Sequence, residues 1–266
     1  MSLARCVIAA IRPRGWRAYL WMWLLGVLHG RVDAQALLLG FYMVASFLAT
    51  AFAVNNFYDV QGDSLNNSKG NPFTRGCGSG AVKVVILNQF IAALVALAYP
   101  RVFPIYLVMV ILGVLYSAPP IRLKGKAGLD VLSHSLYFGL LLFLTGIFIS
   151  GATITHNVLV AGTTTSLYSA FLQLRNLEKD KEYDGLAGDN TLSVRYPSLS
   201  KFLLYLTGVA SSLGALLAFM HDATLTLVLL AASTLLGTLL SWERGIDLLV
   251  VTGLSLPVLV SICACY

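Results

Sequence analysis

Apolar stretches recur along almost the whole chain, and each is long enough to cross a bilayer. Nine can be drawn, near residues 15–32, 35–60, 81–99, 102–118, 128–150, 156–178, 198–220, 223–242 and 246–265. The hydrocarbon core of a membrane takes about 20 predominantly apolar residues per crossing helix. The pattern therefore predicts an all-α, polytopic transmembrane bundle of about nine helices. Boundaries are softest between Pro100 and Pro104, where the third and fourth stretches nearly touch. Apolar residues make up 58% of the chain and charged residues 11%. Soluble domains carry roughly 25% charged residues, so an ordinary soluble protein is excluded.

The N-terminal segment carries Arg5, Arg12, Pro13 and Arg14 and lacks the long apolar core of a cleavable signal. Residues 4–12 read instead as a short amphipathic helix on the membrane surface. Cys6, Cys77, Cys263 and Cys265 form no C-x-x-C pair and have no histidine at zinc spacing. They read as small, membrane-compatible residues. Of the eighteen Lys and Arg residues, all but Arg31 and Arg101 fall on one side of a nine-span layout. Positive residues mark cytoplasmic loops, which puts the N-terminus inside and the C-terminus outside. Basic residues spread over loops between apolar spans do not form a nucleic-acid-binding surface.

Seven of the twelve acids fall in two short windows. One is Asn55-Asn56-Phe57-Tyr58-Asp59-Val60-Gln61-Gly62-Asp63. The other runs from Asn176 through Glu178, Asp180, Glu182 and Asp184, with Asp189 following. Both contain N-x₃-D-x₃-D at the end of an apolar segment and lead into a basic loop, as an internal repeat would. The halves are roughly 15–118 and 128–242, around a central cavity, with a last helix at 246–265. Residues four apart share one helix face, so Asn55, Asp59 and Asp63 can aim their oxygens together, and so can Asn176, Asp180 and Asp184. Carboxylates one turn apart repel, and helix C-termini disfavour acids. The clusters therefore call for a cation. Mg²⁺ takes oxygen ligands, typically one or two carboxylates, with phosphate oxygens and water completing the shell. Two such faces across a polar cavity make a clamp for a diphosphate. Glu178, Glu182 and Asp189 sit off the shared face or in the loop and read as solvated.

The loop after the fourth stretch, Tyr116-Ser117-Ala118-Pro119-Pro120-Ile121-Arg122-Leu123-Lys124-Gly125-Lys126, places Arg122 and Lys124 two residues apart. On an extended segment both point the same way and suit a diphosphate; topology signalling explains them equally well. The polar loop from Asn66 to Gly76 offers Lys69 and Arg75 to the same ligand as a lid, or is plain surface. His29, His134, His156 and His221 show no triad or metal spacing. His134, near Asp130, reads either as a satisfied helix histidine or as a base.

Taken together, N-N-F-Y-D-V-Q-G-D after the second span, Y-S-A-P-P-I-R-L-K after the fourth and R-N-L-E-K-D after the sixth resemble the UbiA superfamily of intramembrane prenyltransferases. The resemblance covers nearly the whole chain. It implies Mg²⁺-dependent transfer of an isoprenyl group from a donor such as geranyl or geranylgeranyl diphosphate. The acceptor would be lipophilic or aromatic, of the quinone-precursor type, or alternatively a glycerophosphate lipid precursor. It further implies that Asn55, Asp59, Asp63 and Asp180 match the family's metal and diphosphate ligands. Lys124 matches its basic loop position, with Tyr116 and Ser117 nearby, and two Mg²⁺ would serve, one per motif. Two departures stand out: Asn56 replaces the usual first acid, and Asn176 opens the second motif where aspartate is usual, which shifts weight onto Asp184. Asn71-Pro72 also replaces the family's common Arg-Pro. The rival reading is a transporter with paired acidic cation sites.

Overall fold

The computed structural model describes residues 1–66, 70–217 and 223–263, which are helical with no β-strand among them. The elements are Leu3–Ile11 (α1), Arg17–Val27 (α2), Ala34–Tyr58 (α3), Val60–Ser64 (α4), Gly80–Ala96 (α5) and Phe103–Ser117 (α6). They continue as Leu129–His134 (α7), Leu142–Ile149 (α8), His156–Leu186 (α9), Leu192–Arg195 (α10), Pro197–Leu217 (α11), Ala223–Leu239 (α12) and Trp242–Cys263 (α13). Each of the nine apolar stretches holds a helix, and α1, α4 and α10 are short additions between them. By length and composition, Ala34–Tyr58, Leu129–Ile149 and Pro197–Leu217 can cross a membrane, and Gly80–Ala96, Phe103–Ser117 and Thr226–Leu239 are shorter apolar helices.

Local chemistry sets several helix starts. The Asp33 carboxylate accepts from the Ala36 N–H at 2.7 Å to open α3, and Thr155 accepts from the Val158 N–H to open α9. Each cap satisfies a donor that a helix N-terminus leaves orphaned. Between α7 and α8 the chain winds through a π-helical segment, Ser135–Leu141, so that Leu129–Ile149 forms one continuous rod.

Two apolar clusters hold the bundle. One gathers Met22, Leu25, Phe143, Ile147, Phe171 and Leu174; the other gathers Trp23, Met43, Phe47, Tyr106, Met109 and Leu142. They meet where α2 crosses α8 on bare backbone. A Cβ added to Gly26 would lie 2.2 Å from the Phe143 carbonyl oxygen, and one on Gly146 would lie 2.2 Å from that of Trp23. Small residues at such a crossing let backbones approach closely in lipid, where packing drives helix association. Leu87, Phe90 and Leu94 of α5 and Phe202 and Leu213 of α11 stay exposed, as expected of faces turned to lipid.

Two long-range ties organise one end of the bundle. The surface helix α1 forms as the sequence indicates, but Cys6 and Cys77 are not isolated small residues. They are joined by a disulfide that ties α1 to the loop before α5. Sequence spacing did not show this pairing, because 71 residues separate the two and only the docking of α1 brings them together. In addition, Lys126 and Asn190 form an isolated parallel bridge, with the Asn190 N–H donating to the Gly125 carbonyl at 3.1 Å. The loop after α6 and the loop after α9 are thereby clasped to each other.

Candidate active site

The C-terminal ends of α3, α6, α7 and α9 converge on one cavity of about 310 Å³. At Asp59 helix α3 ends and α4 begins, yet the Asp59 N–H still reaches the Asn55 carbonyl at 3.0 Å and the Asp63 N–H the Asp59 carbonyl at 2.8 Å. The i, i+4 relation survives the break, and Asn55, Asp59 and Asp63 all line the cavity. Helix α9 runs unbroken to Leu186 and brings Asn176, Asp180 and Asp184 to the same space. The helices can come this close because Gly62 lacks a side chain: its Cβ would sit 3.3 Å from that of Ala187.

Cations meet these acids. Lys124 Nζ pairs with Asp59 Oδ1, and Arg122 Nη2 lies 3.4 Å from the same oxygen. The extended segment expected here is replaced by a turn. Arg122 takes a left-handed conformation (φ 40°), and Leu123–Gly125 forms a 3₁₀ turn, which converges both side chains on one carboxylate. A left-handed non-glycine residue is costly and persists where its surroundings hold it. Here the Asp189 carboxylate does so, accepting from Arg122 Nε at 3.0 Å and Nη2 at 2.8 Å. Burial opposes the Arg122 charge, but the hydrogen bonds and charges of Asp189 and Asp59 outweigh it and raise its pKa above the ordinary guanidinium value.

The remaining expected residues divide. Tyr116 lines the cavity, its hydroxyl accepting from Gln173 Nε2 at 2.8 Å. Ser117 is fully buried behind Asn55, donating to its Oδ1 at 3.0 Å. Arg75 is exposed and does not line the cavity, because the turn from Pro72 to Cys77, closed by the Arg75 N–H on the Pro72 carbonyl, throws it outward. Asn71 takes the inner place, with its Nδ2 2.9 Å from Asp63 Oδ2 and 2.7 Å from the Asn56 carbonyl. Lys69 lies outside the described residues.

Some residues at this site were not legible in the sequence. Asp189, read as a solvated loop acid, lines the cavity and anchors Arg122; only the loop clasp brings it inward. Arg12 also lines the cavity from a left-handed turn (φ 46°) between α1 and Pro13, as do Tyr19, His134 and Gln173. Asn56 points away, donating to the Ala10 carbonyl at 2.7 Å and accepting from Arg12. Tyr137 and Phe138 line this cavity, whereas Phe57 and Tyr58 line a separate apolar hollow between α3, α5 and α6.

Among the described residues, five acids and three Arg or Lys side chains line the cavity, so it carries an excess of negative charge. Fold and site together define a helical membrane protein with one polar, acid-rich cavity at one end of its bundle. The chain belongs to the UbiA prenyltransferase family, whose model matches residues 16–246. It is similar to a lycopene elongase/hydratase of Halobacterium salinarum, at 26% identity over 85% of this chain and 83% of that one. In fold it is similar to a UbiA homologue of Archaeoglobus fulgidus solved with geranyl diphosphate and Mg²⁺ (TM-score 0.71, 21% identity, 97% of each chain). It is also similar to digeranylgeranylglyceryl phosphate synthase (TM-score 0.71, 17% identity, 97% of this chain and 99% of that one). The chain is thus an integral membrane protein of a prenyltransferase family.

Proposed function

We propose that the protein transfers an isoprenyl group from an isoprenyl diphosphate, such as geranyl or geranylgeranyl diphosphate, to a lipophilic acceptor and releases pyrophosphate. The observation that carries this reading is the meeting of both N-x₃-D-x₃-D turns in one cavity with Arg122 and Lys124. The donor set fits Mg²⁺. It is built of carboxylate and amide oxygens. That suits a metal which leaves most of its shell to phosphate and water. Asp59, Asp63, Asp180 and Asp184, with Asn55 and Asn176, would hold two ions, one per motif. Bound there, Mg²⁺ supplies the positive charge that a departing pyrophosphate needs.

The chain's own residues do the rest. Lys124 and Arg122 exchange Asp59 for phosphate oxygens while Asp189 keeps Arg122 in place, which favours the leaving group as its charge develops. Asn71 holds the Asp63 carboxylate in place. Below the charged rim, aromatic rings including Tyr137 and Phe138 exclude water from the allylic cation formed when the C–O bond breaks. The halves 15–118 and 128–242 each contribute one acidic turn. The distribution of basic residues supports a cytoplasmic site and N-terminus, with the C-terminus external. The likeness to a lycopene elongase/hydratase supports an acceptor that is itself an isoprenoid or comparably lipophilic.

The test incubates the protein with Mg²⁺, labelled geranylgeranyl diphosphate and a panel of acceptors, and measures pyrophosphate and prenylated product. Asp59→Ala and Asp180→Ala should each lower pyrophosphate release by at least about 10²-fold, the scale expected when transition-state charge loses a positioned partner. Full release in both variants would refute the assignment.

A further inference from the structure

Beneath the charged rim lies a second polar group that the diphosphate chemistry does not use. His134 closes α7 and is buried, as is Ser169 of α9. Its imidazole is framed by the rings of Tyr19, Tyr116, Tyr137 and Phe138, and both Tyr19 and His134 line the cavity.

One tautomer of the imidazole satisfies all three of its contacts. Ser169 Oγ lies 3.2 Å from the His134 carbonyl oxygen and in that arrangement donates its hydrogen there. Serine Oγ then accepts from His134 Nδ1, 3.1 Å away, which carries the ring hydrogen in this tautomer. Nε2 then presents its lone pair to the Tyr19 hydroxyl, 3.3 Å away, which donates in this tautomer. Tyr19 is itself held by stacking on Phe138 at 4.1 Å between centroids. A hydroxyl on the cavity wall, backed by a bare imidazole nitrogen whose other nitrogen is anchored, is the arrangement of a proton relay with a sink.

We propose that Tyr19 and His134 are the proton exit of the transfer reaction, an inference that rests on the prenyl-transfer reading above. The allylic C–O bond breaks and its electron pair leaves with pyrophosphate. A π pair of the acceptor forms the new C–C bond, which leaves a positive charge on the acceptor. The adjacent C–H bond gives its electron pair back to the acceptor as a double bond. Its proton passes to Tyr19 Oη as the tyrosine proton moves to His134 Nε2. The imidazolium keeps its Nδ1–H on Ser169, and the tyrosine ends neutral. The relay suits an acceptor attacked at carbon, such as an alkene or an electron-rich ring. An acceptor attacked at an alcohol oxygen would lose a proton far more readily, without a dedicated base.

The experiment separates ionisation from product formation. Labelled geranylgeranyl diphosphate and Mg²⁺ are supplied with lycopene or 1,4-naphthohydroquinone as acceptor probes, and pyrophosphate, prenylated product and prenyl alcohol are counted together. In His134→Gln, pyrophosphate release should stay within a few-fold of wild type. Product per pyrophosphate should fall by about 10²-fold, with prenyl alcohol from water capture making up the difference. Tyr19→Phe, which keeps the ring and its stacking, should shift the same ratio in the same direction. Added imidazole should restore coupling in His134→Ala, a rescue that a purely structural histidine would not show. Pyrophosphate and product falling in step, or product per pyrophosphate unchanged in His134→Gln and Tyr19→Phe, would overturn the assignment. Wild-type protein releasing no pyrophosphate would overturn the donor reading beneath it.

Discussion

Asn56 stands where the family resemblance leads one to expect an acid, and its surroundings explain the exchange. Its amide nitrogen donates to the Ala10 carbonyl while its oxygen accepts from Arg12, so one residue docks α1 and steadies a cavity-lining cation. A carboxylate there would face the carbonyl with no hydrogen to offer. Leaving a buried partner unsatisfied costs about 1–3 kcal/mol, so Asn56→Asp should lose stability on that scale in thermal unfolding of the detergent-solubilised protein. Asp189 makes the complementary case. Asp189→Asn removes the charge that holds Arg122 in its left-handed turn, and hydrogen bonds to charged groups contribute about 1.5–3 kcal/mol. KM for the isoprenyl diphosphate should rise about tenfold or more in steady-state assays, with a smaller change in kcat. The acids at positions 59, 63, 180 and 184 were legible in the sequence because a four-residue spacing needs only a helix to become a face. Asp189, Arg12 and Asn71 were not, because each owes its place to a loop conformation or a contact between distant segments.

Among the helices, the spans could be read from hydropathy, but how they touch could not. The crossing of α2 and α8 depends on Gly26 and Gly146, and nothing in the sequence distinguishes these from other glycines in apolar runs. Gly146→Val would drive a side chain into the Trp23 carbonyl. Overpacking of this kind typically costs about 1–3 kcal/mol, and here the obstacle is backbone, which cannot move aside. The variant should show a lowered unfolding temperature and loss of the monodisperse peak in size-exclusion chromatography. The α1 tether is also testable at this scale. Reduction of the Cys6–Cys77 bond, or Cys6→Ser, releases a 71-residue separation, and closing loops of this size stabilises by about 2–4 kcal/mol. Amide hydrogen exchange should quicken in α1 and in residues 70–79 and stay unchanged in α11. The sequence identified α1 as an amphipathic surface helix but could not name what it rests on.

At the level of the whole molecule, charge bias and architecture make a common prediction. With the site cytoplasmic, single cysteines introduced at Arg31 and Arg101 in a background lacking the native cysteines should react with a membrane-impermeant maleimide added to intact cells. A cysteine at Lys126 should react only after the membrane is opened; the reverse pattern would invert the topology. The spans and the two acidic faces could be foreseen from length and spacing, and that the faces share one cavity was expected from their repetition and like charge. The cavity's inner wall could not be foreseen, since it depends on the π-helical turns between α7 and α8. Those turns have a consequence for how this protein can vary. A π turn holds an extra residue relative to an α turn, and one residue of α-helix rotates everything beyond it by about 100°. Deleting any single residue from 135 to 141 would carry Gly146 off Gly26 while leaving His134 where it is. The stretch therefore works as a phase-setting insert between the chemical end of the rod and its packed end, and diversification of the inner wall has to proceed by exchange of side chains at constant length.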